Sequence, residues 1–322
     1  IKDFKCNISA YTAWDGTYMH VRLSEQYAME GSENICDYPA VLKLQKQKDG
    51  TYTAKLCGYD FIQMENDYAV FYYTKQNKGI VTELCKKSED PMRQVFAAFG
   101  VEGKETEKLV VNFYPGQKHM LWSIKPSLPG WVGGWTESEE AIKMCQFAGY
   151  TKTEYLRTMT HETAHVAINT LSGNKATFWL HEGIAGLFET KTPEMSQYDK
   201  ATLEFVKASD QLFDFETLKN KDYNAISDQF VVAGYYASCK LAAYSLYQEY
   251  GMNGIKAILA ELKKKDFTST HYSMEQMGRL NQMTDDAIQN ALGVSEKDMA
   301  QKYEKALTQF LGGVSNDKIA SK

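Results

Sequence analysis

The sequence contains no run of 18 apolar residues, so it predicts no transmembrane helix. It also lacks a basic stripe: the net charge is −5, whereas nucleic-acid-binding proteins usually carry a basic patch. We therefore expect no nucleic-acid partner. The composition, 43% hydrophobic and 24% charged residues, is ordinary for a soluble globular protein, and a length of 322 residues favours two domains.

No two cysteines are spaced as C-x-x-C, which argues against a cysteine zinc site or a redox pair. Four of the six lie in the first 85 residues, and two interpretations stay open. In an exported protein they form one or two disulfides; in a reduced protein they are small buried apolar residues. Because the chain starts at Ile1 rather than Met, and because of these cysteines, we expect an extracytoplasmic protein, secreted or surface-anchored. The cysteines are Cys6, Cys36, Cys57, Cys85, Cys145 and Cys239.

Residues 1–90 are predicted to form a β-rich or α+β module of unknown role. Strand-forming runs at 41–44 and 51–56 flank an Asp49-Gly50 pair, which is typical of a β-hairpin. Another strand is predicted at 68–73, where aromatic and β-branched residues dominate.

The rest of the chain changes from mixed to mainly helical character. A helix at 91–99 that ends at Gly100 and strands at 108–114 and 130–136 are followed, from Thr151 onward, by an almost continuous series of helices. The helices after Thr151 are predicted at 151–173, 197–208, 229–250, 253–265, 273–291 and 295–311. Residues 312–322 are predicted to be a flexible tail.

The first of these later helices carries the pattern His161-Glu162-Thr163-Ala164-His165. Residues four apart share one face of a helix, so both imidazoles can reach a single Zn²⁺. Glu162 then lies beside the metal, where a carboxylate acts as general base on a water molecule. A capping box at Thr151 and Glu154 supports the helix itself.

A catalytic zinc needs a third protein ligand, and Glu182 is the candidate. It stands in the apolar stretch 178–189, which turns helical, so its carboxylate can point back towards the two histidines. Glu189 follows seven residues later on the same face, where it can hydrogen-bond a ligating imidazole from behind. His181 is adjacent to Glu182 and does not share its face, so we expect it to line the pocket rather than bind metal.

The stretch Trp179-Leu180-His181-Glu182-Gly183-Ile184-Ala185, with Glu189 following, resembles the W-L-x-E-G-x-A-x-x-x-E signature of the gluzincin peptidases, and in particular the peptidase MA-like domain. Residues 236–238 and 249–251, and the stretches 110–115 and 131–134, resemble further parts of that domain. The resemblance covers about residues 105–311. It implies that His161, His165 and Glu182 bind zinc and that Glu189 supports them.

For the fold, the resemblance implies an α+β protein. The small N-terminal module, residues 1–90, is followed by a thermolysin-like zincin catalytic domain at 91–311. Within that domain, residues 91–195 supply a short sheet plus the zinc helix, and residues 196–311 form a helical part.

For the chemistry, the resemblance implies that Tyr236 donates its hydroxyl to the oxyanion of the transition state, a role that a phenol near zinc can fill. Tyr235 is the competing candidate, and a half-buried structural tyrosine is the alternative in a chain with 21 of them. The implied activity is hydrolysis of a peptide or protein substrate, while the oligomeric state is left open.

One feature of the aminopeptidase N type is missing: the chain has no G-x-M-E-N stretch, whose glutamate grips a free amine. An endopeptidase that pairs an extended peptide with an edge strand is therefore favoured over an aminopeptidase. Three alternatives stay open. The chain is an inactive zincin-fold binding protein, a zinc hydrolase of a non-peptide amide or ester, or an interaction module centred on residues 1–90.

Overall fold

A computed structural model describes most of the chain, and its described residues form two compact units. The described residues are 2–14, 18–28, 35–56, 61–101, 108–124, 130–137, 141–190, 193–222, 226, 228–267 and 274–312. The first unit comprises those within Ile1–Asp90 and Gly103–Thr158, and the second those within Pro91–Glu102, Met159–Phe267 and Tyr272–Lys322. The described residues within 103–158 thus group with the N-terminal residues, and the predicted domain boundaries stay predictions.

The first unit begins with a four-stranded antiparallel sheet in the order β1-β2-β3-β4. Its strands are β1 (Lys2–Trp14), β2 (Tyr18–Ala28), β3 (Ile35–Lys46) and β4 (Tyr52–Leu56). The hairpin predicted around Asp49-Gly50 is confirmed: β3 pairs with β4, and Gly50 turns the chain with a φ of +84°. Asp49 Oδ1 accepts a hydrogen bond from the Thr51 backbone N–H, which stabilises the turn.

A second, mixed sheet has five strands in the order β5-β6-β7-β9-β8. Its strands are β5 (Ile62–Glu65), β6 (Ala69–Tyr73), β7 (Leu109–Tyr114), β8 (Gly134–Glu137) and β9 (Ala141–Cys145). The three central strands are parallel and rich in buried apolar residues, as strands covered on both faces are, while β5 and β8 are antiparallel edge strands. Together with the helices, this sheet confirms the predicted α+β class.

The predicted strand at 130–136 is only partly correct. Strand β8 starts at Gly134, and Trp131 lies in a turn before it. Strand β9 was not predicted from the sequence at all, although its residues Ala141–Cys145 are buried throughout.

Helices make up most of the remaining described chain. They are α1 (Lys78–Phe99), α2 (Gln117–Ile124), α3 (Lys152–Ser172), α4 (Phe178–Leu187), α5 (Gln197–Ala208), α6 (Phe215–Asn220), α7 (Gln229–Lys263), α8 (Met274–Leu292) and α9 (Glu296–Phe310). Among the described residues, no helix is both long and apolar enough to cross a membrane.

Helix α1 corrects the prediction of a helix limited to 91–99. The helix begins at Lys78, so Pro91 lies inside it rather than at its first turn. Buried side chains repeat at helical spacing on both sides of the proline, from Val81 to Val95, and this packing outweighs the local cost of the missing N–H. The predicted end is confirmed, because Gly100 adopts a φ of +67°.

Helix α3 follows its prediction closely. Thr151 and Glu154 form the expected capping box, and Gly173 ends the helix with a φ of +63°. The helices predicted at 229–250 and 253–265 form one element, α7, which is interrupted at Gly251 by a non-helical φ of 60° and ψ of −169°.

Three cysteines are free thiols buried in the protein: Cys85, Cys145 and Cys239. Cys85 therefore takes no part in the disulfide pairing considered for the N-terminal cysteines. The side chains of the other three, and the predicted tail beyond Gly312, lie outside the described residues.

Candidate metal centre

Helix α3 brings three of the predicted site residues to one place in the second unit. His161 and His165 lie one turn apart on the helix, and their rings are 4.6 Å apart between centroids at an interplanar angle of 88°. Between them in sequence, Glu162 is a buried residue, 5% exposed.

Helix α4 supplies the third candidate ligand. Oε2 of Glu182 lies 3.2 Å from Nε2 of His161 and 3.4 Å from Nε2 of His165. One candidate ligand atom from each of the three residues lies within 4.8 Å of the other two. Among the described residues, this is the group of His, Cys, Asp or Glu side chains that lie close enough together to hold a metal ion. The structure thus brings together residues that are 21 positions apart in the sequence.

The spacing of these donors can be compared with that around a zinc ion. Four ligands placed tetrahedrally at about 2.0–2.1 Å from Zn²⁺ are about 3.3 Å from one another. The two contacts of Glu182, at 3.2 and 3.4 Å, lie on either side of that value. Two imidazoles and one carboxylate are also a donor set typical of catalytic zinc. The donor types and the two Glu182 distances therefore fit a zinc ion.

Glu189 lies behind His161, as the sequence predicted. Its Oε1 is 3.1 Å from Nδ1 of His161, so the Nδ1–H of the ring donates to the carboxylate. This contact directs Nε2 towards Glu182, because the other ring nitrogen is occupied. The supporting role assigned to Glu189 stays a prediction, but the contact it needs is present.

The pKa values of His161 and Glu182 are shifted in opposite directions. Burial acts to lower the pKa of His161, but hydrogen bonds to Glu182 and Glu189 outweigh it and raise that pKa to about 10. Burial acts to raise the pKa of Glu182, but His165 and His161 hold it well below its usual range. Glu182 and Glu189, on opposite sides of the ring, thus favour positive charge on the His161 imidazole.

A glycine lets α4 approach α7 closely at the metal centre. A Cβ atom on Gly183, next to Glu182, would lie 2.2 Å from the backbone oxygen of Cys239. One turn further on, a Cβ on Gly186 would lie 3.4 Å from side-chain carbons of Lys240. The candidate ligand Glu182 thus stands next to the closer of these two approaches between α4 and α7.

The two tyrosines that compete for the oxyanion role lie side by side on α7. Tyr235 is 1% exposed, and its ring packs edge-on against Phe213 at 5.8 Å. Tyr236 is half-buried, so it is the more accessible of the two. It lies one turn before Lys240, whose side chain faces Gly186 of α4. Its catalytic role stays a prediction.

His181 has contacts that the sequence did not reveal. Its ring stacks on that of His165, with centroids 4.2 Å apart and planes 13° apart. Its Nε2–H donates to Oδ1 of Asn169 at 2.8 Å. Burial and the neighbouring His165 lower the pKa of His181 well below its usual value. Asn169 was not singled out from the sequence, although its position four residues after His165 places it on the same face of α3.

Comparisons with protein-family models and with curated proteins found no match for this chain.

Proposed function

We propose that this chain is a zinc-dependent metallopeptidase of the gluzincin type, with His161, His165 and Glu182 as its zinc ligands. The observation that carries the proposal is the position of the Glu182 carboxylate, 3.2 and 3.4 Å from the two imidazole nitrogens. A buried carboxylate so placed between two histidines matches the donor spacing of tetrahedral zinc, about 3.3 Å.

The architecture supports the same proposal. A mixed five-stranded sheet with an antiparallel strand at each edge precedes α3 in the chain, and a mainly helical part follows it. This order of elements is consistent with a thermolysin-like zincin domain, which we propose as the fold of the catalytic part.

Glu162 is the general base in the proposed mechanism. Zinc held by the three ligands supplies Lewis-acid chemistry for water and carbonyl activation. Glu162 neighbours the ligand His161, and its carboxylate is buried, which favours proton transfer over solvation of the charge. It takes a proton from the attacking water and later passes one to the leaving amine.

Tyr236 completes the proposed set by donating its hydroxyl to the oxyanion. The substrate class we propose is a peptide or protein that is cleaved internally. This choice rests on the sequence, which has no G-x-M-E-N glutamate to hold a free amino terminus.

The first test is elemental analysis of the purified full chain, prepared without chelator or added metal, beside Glu182→Ala. We expect about one zinc per chain in the wild type, as a three-ligand site binds one ion. We expect its loss in the variant. No zinc in the wild type, even after incubation with the metal, or unchanged zinc in Glu182→Ala, contradicts the ligand assignment.

The second test separates a peptidase from an inactive binding protein. Wild type and Glu162→Gln are compared on a peptide library and on small esters, with zinc content measured in parallel. We expect internal peptide cleavage by the wild type and, in the variant, retained zinc with turnover reduced by about 10²–10⁴-fold. A zinc-loaded wild type that cleaves no peptide rejects the peptidase activity but leaves the metal centre intact.

A further inference from the structure

The two histidines of the candidate metal centre are held in place by different contacts. A ligating imidazole usually donates its second N–H to a carboxylate, a carbonyl or water, which fixes the direction of the ring. His161 does so through Glu189 at 3.1 Å. Nδ1 of His165, in contrast, is buried and has no hydrogen-bond partner among the residues that the structure describes.

A flat side chain takes the place of that hydrogen bond. His181 stacks on His165 almost in parallel, at 4.2 Å and 13°. His161 lies against the same ring at nearly a right angle, 4.6 Å away. Rotating the His165 ring about its Cβ–Cγ bond would drive the ring edge into the stacked imidazole, so these contacts hold its plane.

His181 is itself fixed by a hydrogen bond to the helix that carries the ligands. Its Nε2–H donates to Oδ1 of Asn169 at 2.8 Å, and Asn169 stands one turn after His165 on α3. His181 also immediately precedes the ligand Glu182 on α4. The stacked pair therefore connects the two helices at the point where their ligands meet.

We propose that His181 is a positioning residue for the metal centre: by stacking on His165 it holds that imidazole in the orientation for metal binding, with Asn169 as its anchor. The proposal rests on the proposed zinc site and concerns residues outside the ligand set. The flat ring of His181 supplies the contact that holds His165, and the hydrogen bond to Asn169 only keeps that ring in place.

The test measures the zinc affinity of the full chain by competition with a chromophoric chelator, together with the rate of zinc transfer to that chelator. His181→Leu removes the flat ring, and we expect about a tenfold loss of affinity, the scale of effect seen when the support of a ligand is removed. His181→Phe keeps a flat ring but loses the hydrogen bond to Asn169, and we expect a loss no larger than that of Asn169→Ala and clearly smaller than that of His181→Leu.

Two further variants complete the design. His119→Leu makes the same chemical change on α2, outside the two ligand helices and the stacked pair, and we expect unchanged affinity. Asn169→Ala removes the anchor but leaves both rings, and we expect a smaller loss than in His181→Leu. Circular dichroism verifies that each variant folds. If His181→Leu does not fold, the zinc affinity of Asn169→Ala is compared with that of the wild type instead.

The outcomes separate this inference from the metal centre itself. Zinc bound equally well by wild type and His181→Leu overturns the positioning role and leaves the metal centre standing. An affinity of His181→Phe as low as that of His181→Leu also overturns it, because the hydrogen bond rather than the stacked ring would then matter. A wild type that binds no zinc overturns both proposals.

Discussion

Oε1 of Glu189 lies 3.1 Å from Nδ1 of His161, on the side of the ring opposite the nitrogen that faces Glu182. The end of α4 produces this contact. The helix stops at Leu187, and the backbone N–H of Glu189 donates to the Gly186 carbonyl, which keeps Glu189 close to the last turn. Helix α4 and the two residues after it thus supply both a candidate ligand and a carboxylate in contact with another candidate ligand.

Replacing Glu189 by glutamine is expected to weaken zinc binding by about tenfold or more, because the neutral amide polarises the imidazole less than a carboxylate does. Zinc affinity by chelator competition measures the effect. Glu194→Gln is the matched control, since it changes an exposed carboxylate shortly after α4 and should leave affinity unchanged. Equal affinities of Glu189→Gln and the wild type would show that the contact does not support the metal.

Removing the hydroxyl of Tyr236 is expected to lower kcat by about 10²–10³-fold, the usual effect of losing one oxyanion donor. KM should change little, since the interaction forms only in the transition state. Tyr235→Phe is the matched variant and should retain near-normal kcat, because Tyr235 is packed against Phe213. Steady-state kinetics on one cleaved peptide compares the two. The reverse pattern would transfer the role to Tyr235.

Most of the candidate site could be predicted because short stretches of the sequence specify it. His161 and His165 are fixed by helical spacing, and the end of α3 by Gly173. Glu182 required more than spacing, and the resemblance of its flanking residues to a known signature singled it out.

Features that depend on distant contacts were not predictable. Helix α1 was assigned too short because Pro91 is a local signal for a helix start, whereas the true start at Lys78 depends on tertiary packing. The role of His181 was missed for a related reason. Adjacent helix positions point in different directions, which correctly separates His181 from Glu182 but does not reveal that it faces His165.

A buried ion pair is expected to stabilise the C-terminal helices. Nζ of Lys219 on α6 lies 2.7 Å from Oδ2 of Asp285 on α8, and also contacts Glu296 on α9. Lys219→Met leaves the Asp285 carboxylate buried without this partner, and we expect a loss of about 3–5 kcal/mol in the free energy of unfolding. Urea denaturation measures it. Lys264→Met, which removes an exposed pair with Glu261, should cost about 1 kcal/mol or less.

The loss in Lys219→Met should depend on pH in a defined direction. Burial raises the pKa of Asp285 above its usual value despite the nearby Lys219, and removing that lysine raises the pKa further. The folded variant therefore binds a proton more tightly than the unfolded chain does. Its stability relative to the wild type should recover as the pH falls through that raised pKa, because the buried carboxylate then binds a proton. A deficit that grows on acidification would contradict this account.

Gly183→Ala is expected to disturb the metal centre through the backbone rather than through any ligand. The added Cβ would lie 2.2 Å from the Cys239 carbonyl oxygen, a backbone atom that cannot move without shifting α7. We expect a loss of about 1–3 kcal/mol in stability, typical of overpacking, and weaker zinc binding because Glu182 is the neighbouring residue.

Gly278→Ala provides the control for Gly183→Ala. Gly278 also lies in a helix, α8, but a Cβ there meets no atom within 4 Å. Alanine should therefore stabilise the protein by up to about 1 kcal/mol, through helix propensity alone, and leave zinc affinity unchanged. Urea denaturation and chelator competition are run on both variants. A stabilising effect of Gly183→Ala would contradict this account, because it would show that α4 and α7 are not packed as closely as the position of Glu182 requires.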